Sequence, residues 1–154
     1  MNSLSTRLAA LLSSLLIALA GLQAMSTRLC GIYPAGGAAY YKGDGGQTAV
    51  IDSLEAWQAL TAQNPDLAET ELQVDAGFFQ LHNLVVFSVT LPQANYEVLF
   101  LPSTVFGGQL TVHCLLVQKP GFGATVLIDR TYLAVCGKSV ASAQVMVLNG
   151  TPLN

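Results

Sequence analysis

Charge is what this chain has least of. From Ala76 to Asn154, 79 residues carry five charged side chains: Glu97, Lys119, Asp129, Arg130 and Lys138. A solitary soluble domain usually carries about 25–35% charge on its surface. The shortage predicts that much of this surface faces other protein rather than water. Basic residues are scarcer still, six in 154, against nine acidic ones, for a net charge of −3. A phosphate-binding face needs clustered Lys and Arg, which six scattered basic residues cannot make without help from other subunits, so no nucleic-acid partner is expected. Cysteine is scarce as well. Cys30, Cys114 and Cys136 are odd in number and form no C-x-x-C, which argues against a disulfide framework or a zinc knuckle. Cys114 and Cys136 lie in apolar strand-like runs, where a thiol acts as a small buried hydrophobe.

Catalytic groups are equally sparse. There are two histidines, His82 and His113. His113 neighbours Cys114 on a predicted strand, and strand neighbours point to opposite faces, so the two cannot act as base and nucleophile. Ser88 and Ser103 have no Gly-x-Ser-x-Gly context, which removes the hydrolase elbow. Gly43-Asp44-Gly45-Gly46 is no phosphate loop, since no strand precedes it and no Gly-Lys-Ser/Thr follows. Six acidic residues between Asp52 and Asp75 include no calcium-loop spacing and read as a solvated flank. Asn149-Gly150-Thr151 matches a glycosylation acceptor, but Pro152 follows it. The expectation is a protein without enzymatic activity, cofactor or metal.

What the chain has in plenty is apolar residues at regular spacing. With Leu8 at heptad position a, Leu8, Leu15, Leu22 and Leu29 all fall at a. Leu4, Leu11, Ala18 and Met25 all fall at d. All eight seam positions are apolar, the condition for a helix turned steadily toward a partner. Ser-Thr-Arg-Leu occurs at 5–8 and again at 26–29. Leu12, Leu16, Ile17 and Leu19 widen the apolar face beyond a two-stranded seam, which predicts burial on several sides. The same stretch supports a rival reading. Twenty uncharged residues separate Arg7 from Arg28, about the length that spans a bilayer, and Leu8–Leu19 also has the look of a signal-peptide core. We expect the segment to be retained, and to lie in protein rather than lipid.

Beyond it the character changes. Residues 31–46 hold six glycines and Pro34 and read as a connector. Thr48–Ile51 predicts a strand. Asp52 as N-cap, with Glu55 three residues on, predicts a capping box opening a helix from Ser53 to Gln63. That helix would bury Leu54, Trp57 and Leu60, with Trp57, the sole tryptophan, plugging the gap to a sheet. Asn64-Pro65 would end it. The remainder predicts strands at Phe78–Leu81, Leu84–Thr90, Tyr96–Leu101, Leu110–Gln118, Ala124–Val135 and Ala143–Leu148, with a turn at His82-Asn83. Short runs separated by turn residues imply a mainly β protein, an antiparallel sandwich of jelly-roll-like kind with one short helix. Neither face of 110–118 or of 124–135 is cleanly polar. This implies burial on both sides, one against the domain's own core and one against another chain. Asp129 and Arg130 stand nearly alone in an apolar run and must be paired, either within the sheet or across a subunit contact; the contact is the expectation, which makes them candidate interface charges.

The layout is thus an oligomerising or docking helix at 1–30, a connector at 31–46 and a β-sandwich at 47–154. It resembles small trimeric structural proteins of tailed-phage virions, such as head-decoration (cement) proteins and short fibres. The resemblance is one of outline and carries no site residues over. It implies a non-enzymatic role in the virion: a homo-oligomer, a trimer by analogy, docked on capsid or tail subunits. Fibre coiled coils usually show Glu and Lys at e and g, whereas only Arg7 and Arg28 occur here. That departure favours a helix packed inside a larger body over a free stalk. The alternative is an envelope protein, membrane-anchored or exported, with residues 8–27 in the bilayer and the β domain outside.

Overall fold

The computed structural model describes residues 29–35 and 48–148. They are mainly β, with antiparallel sheets and few helices. Strands β1 (Leu29–Pro34), β2 (Thr48–Ile51), β3 (His82–Leu91) and β7 (Ile128–Gly137) form sheet one, in the order β1-β7-β3-β2 with every neighbour antiparallel. Sheet two is built on β6 (Gln109–Gln118). Strands β4 (Tyr96–Phe100) and β5 (Thr104–Phe106) run antiparallel along one edge of β6, and β8 (Ser142–Leu148) runs parallel along the other.

Period-two alternation supplies the central core. Val85, Phe87, Val89 and Leu91 of β3 and Tyr132, Ala134 and Cys136 of β7 meet Leu110, Val112 and Cys114 of β6 between the sheets. Three rings fill its middle. Phe87 stacks on Tyr132 at 5.7 Å between centroids, and Phe100 meets Tyr132 edge-on at 4.9 Å. The opposite residues of sheet one, Leu84, Val86, Leu133 and Val135, form a second core with Trp57, Leu67 and Phe79. These three come from α1 (Leu54–Gln63), the 3-10 turn Pro65–Ala68 and α2 (Phe78–Leu81). Sheet one is therefore sandwiched between sheet two and a helical layer of its own chain.

This arrangement corrects the expectation that β7 presents one face to another chain. Its second face is taken up within the chain, by a tryptophan, a leucine and a phenylalanine that are all buried. The expectation for Trp57 holds: it plugs α1 against the sheet. The N-cap is Ser53 rather than Asp52, because Ser53 has the extended backbone of a cap and its Oγ accepts from Ala56 N–H at 3.3 Å. The Asp52 carbonyl accepts instead from Lys138 Nζ at 3.1 Å. Asn64 and Pro65 end the helix as expected.

Phe78–Leu81 is a helical turn, not a strand. Asp75 Oδ1 accepts from Phe78 N–H at 2.8 Å, and the turn drops Phe79 into the second core. His82 opens β3 rather than a turn, and Asn83 is buried within that strand. Pairing of β7 starts at Ile128, opposite Leu91. Pro92 follows Leu91 and donates no N–H, so residues 124–127 gain no ladder partner there.

Two short strands were hidden in the sequence. β5 and β6 are joined by Gly107-Gly108, at φ +56° and +80°. Positive φ at both positions is the backbone a two-residue hairpin requires. β4 and β5 are one edge strand broken at Pro102, where residues 101–103 stand opposite only His113 and Val112. A bulge on an edge is where proline is tolerated.

The other hidden strand is β1. Leu29, expected as the last seam position of a helix, begins this strand and pairs with Cys136. Gly31–Pro34, expected in the connector, continue it. The helix–connector boundary at residue 30 is corrected accordingly: β7 is buried on both faces and offers an edge that β1 fills. Leu4, Leu8, Leu11, Leu15, Ala18, Leu22 and Met25, and the rest of the connector, lie outside the described residues.

Candidate interaction surfaces

Sheet two has one face in the central core and one turned outward. In β6 the inward residues Leu110, Val112 and Cys114 are fully buried. The outward residues Thr111, His113, Leu115 and Val117 are not. Register places Leu99 opposite Leu115, Leu115 opposite Leu148, and His113 opposite Met146. An apolar patch results, centred on Leu115, with Leu99, Val117, Met146 and Leu148 each more than a third exposed. Single exposed apolar residues are ordinary; a contiguous set on one sheet face marks contact with another surface. The one charge in this patch, Glu97, is neutralised by an ion pair with Lys119. His113 Nδ1 lies 3.2 Å from the Pro102 carbonyl and donates to it. Among the described residues, no element covers this face.

A second apolar feature lies at the end of the sandwich where β3 gives way to β4. The loop 119–127 carries Phe122, Val126 and Leu127 into solvent, with Phe122 wholly exposed. Its base is pinned by Asn95, whose Nδ2 donates to the carbonyls of Lys119 at 3.2 Å and Gly121 at 3.0 Å. Lys119 N–H returns a bond to the Asn95 carbonyl at 2.7 Å, and Ala94 N–H donates to Ala124 at 3.3 Å. Gly123 is packed so closely on Asn95 that a Cβ there would come within 2.9 Å of its backbone nitrogen. The sequence predicts a strand over 124–127, whereas β7 starts at Ile128 and these residues belong to the loop. The available signal was Gly121-Phe122-Gly123, an aromatic between glycines with no strand to bury it.

The charges singled out from the sequence line a cavity at the same end. It measures about 420 Å³ and is bounded by Pro34, Ala35 and the start of β7, Ile128 to Tyr132. As expected for strand neighbours, Asp129 and Arg130 point apart. Asp129 Oδ1 accepts from Thr90 Oγ1. Arg130 is exposed and hydrogen-bonds Tyr132, whose hydroxyl pKa is raised by burial and drawn back by the Arg130 charge and that bond. Ser88 and Thr131 share a buried hydrogen bond of 3.0 Å beside them. Neither charge is bridged to the other; the ion pair among the described residues is Lys119–Glu97.

Cys114 is buried in the core, with its thiol pKa pushed up by that burial, while His113 lies on the other face. Among the described residues, no three His, Cys, Asp or Glu side chains converge as a metal site. No helix among them is long and apolar enough to cross a membrane. The chain matches no family model, and neither the curated proteins nor the solved structures contain a match to it.

Proposed function

We propose that this protein is a non-enzymatic structural component that works by assembling: it oligomerises and docks on larger partners through its N-terminal segment and its charge-poor β domain. The observation that carries this reading is the outer face of sheet two. Sheet one is covered on both faces by its own chain, whereas sheet two presents Leu99, Leu115, Val117, Met146 and Leu148 with one neutralised charge among them. Removing such a face from water is favourable at about 25 cal/mol per Å². The heptad spacing of apolar residues from Leu4 to Met25, read from the sequence, supports the same role for the N-terminal segment.

Within that reading, the resemblance in layout to virion decoration proteins and short fibres gives the setting: a trimer on a capsid or tail. The finer, jelly-roll-like description of the sandwich belongs to the same proposal. Its support is two four-stranded sheets around one core; the parallel β6–β8 pair departs from it.

Sedimentation of the full chain tests the reading. It predicts an oligomer that weakens when Leu8, Leu15 and Leu22 are together replaced by Ser, with the thermal transition of the β domain unchanged. A chain that stays monomeric at every concentration overturns it. The envelope reading draws on the uncharged residues 8–27, and predicts instead that the chain floats with liposomes and resists a carbonate wash.

A further inference from the structure

We propose that Phe122 of one copy seats in the cavity between β1 and β7 of a second copy. The proposal rests on the assembling role argued above and names a contact that builds the assembly. The knob and the hole share one end of the sandwich. Leu91 pairs with Ile128 at the cavity wall, and Ala94, three residues on, bonds to Ala124 in the Phe122 loop.

Four observations fit a second copy as the occupant. The first is preorganisation: Asn95 and the close approach of Gly123 fix the loop backbone on both sides of Phe122, so little backbone freedom is lost on docking. The second is size. A cavity of about 150 Å³ already binds a benzene ring, so about 420 Å³ admits the Phe122 ring together with part of its loop. The third is lining chemistry. Pro34, Ile128 and Tyr132 give apolar walls, and Arg130, also in the lining, carries a guanidinium of the kind that attracts the face of an aromatic ring. The fourth is charge. The lining includes one carboxylate, Asp129, and one guanidinium, Arg130, not ion-paired with each other, so a second copy carries the opposite sign for each. A knob and a hole on one surface can close as a twofold pair or as a cyclic ring.

The test uses the full chain with Phe122 replaced by the photo-crosslinking residue benzoylphenylalanine. Irradiation is expected to give a covalent dimer on a denaturing gel, with the crosslink mapping to residues 34–35 or 128–132. In parallel, Phe122→Ser, at a wholly exposed position, is expected to weaken self-association at least tenfold without moving the thermal transition; Arg130→Glu is expected to weaken it as far, with a lowered thermal transition from the lost bond to Tyr132. Crosslinks that map instead to residues 36–47 of the same chain, or to residues 8–27, overturn the proposal, as does Phe122→Ser sedimenting like the parent. If the parent assembles and these results fail, only this contact falls. If the parent is monomeric throughout, the assembling role falls with it.

Discussion

Asn83 and Val140 are 57 residues apart in sequence and joined by a buried hydrogen bond: Asn83 Nδ2 donates to the Val140 carbonyl at 2.9 Å. The same nitrogen lies 3.4 Å from the Lys138 carbonyl. Asn83 stands on the core face of β3, so one amide ties the β7–β8 turn to the end of the central core. The turn is where the chain leaves sheet one and enters sheet two.

Asn83→Leu removes the donor and leaves the buried Val140 carbonyl without it. The expected loss is about 1–3 kcal/mol of stability. A urea denaturation midpoint lowered at constant slope checks this. A change confined to the slope would mean that the amide matters to the unfolded chain instead.

Trp57 reports on the helical layer. Trp57→Ala opens a cavity between α1 and sheet one and is expected to cost about 3–5 kcal/mol. Because it is the sole tryptophan, its fluorescence in the parent chain is expected to be blue-shifted, and to move red in the same transition that melts the sheets. A red shift preceding that transition would show the helical layer undocking by itself.

The outward face of sheet two is expected to tolerate charge. Leu99→Lys and Met146→Lys, each at a position more than a third exposed, should alter stability by less than about 0.5 kcal/mol. They should at the same time reduce self-association. Calorimetry beside sedimentation separates the two effects; a large fall in melting temperature would mean that the face packs against its own chain.

Alkaline pH is expected to destabilise the fold. Burial raises the Cys114 thiol above its ordinary 9.0 and the Tyr132 hydroxyl above 10.0. The folded state therefore holds these protons when the unfolded state has released them. Stability contributed by the two groups is complete below about pH 9 and declines as pH rises through the folded values. Urea midpoints measured between about pH 8 and about pH 11 check the sign. Cys114 should also resist alkylation until the protein unfolds, because the reactive species is the thiolate.

Much of the fold was legible in local pattern. β2, α1, β3, β4, β6 and β8 sit within a residue or two of where alternation and turn residues put them. A strand buried on both faces was also legible in β7, since neither set of its alternate residues is polar. What covers the second face was not. The helix spacing predicted that Trp57 packs on a sheet, but nothing in the spacing of Trp57, Leu67 and Phe79 says which strand face the three of them cover; that depends on where the chain turns after Ser53.

The sites follow the same division. The opposite directions of Asp129 and Arg130 follow from the strand period, but the cavity they line exists only because β1 comes back alongside β7. Phe122 was hidden for the converse reason: Ala124 to Leu127 alternate well enough to be a strand and lack only a neighbour to pair with. By itself the sequence determined alternation, turn chemistry and the poverty of charge, because these are fixed by side chains and their nearest neighbours along the chain. Which face is covered, which edge is filled and which ring is left in water were decided by tertiary structure, because each depends on contacts between residues far apart in sequence.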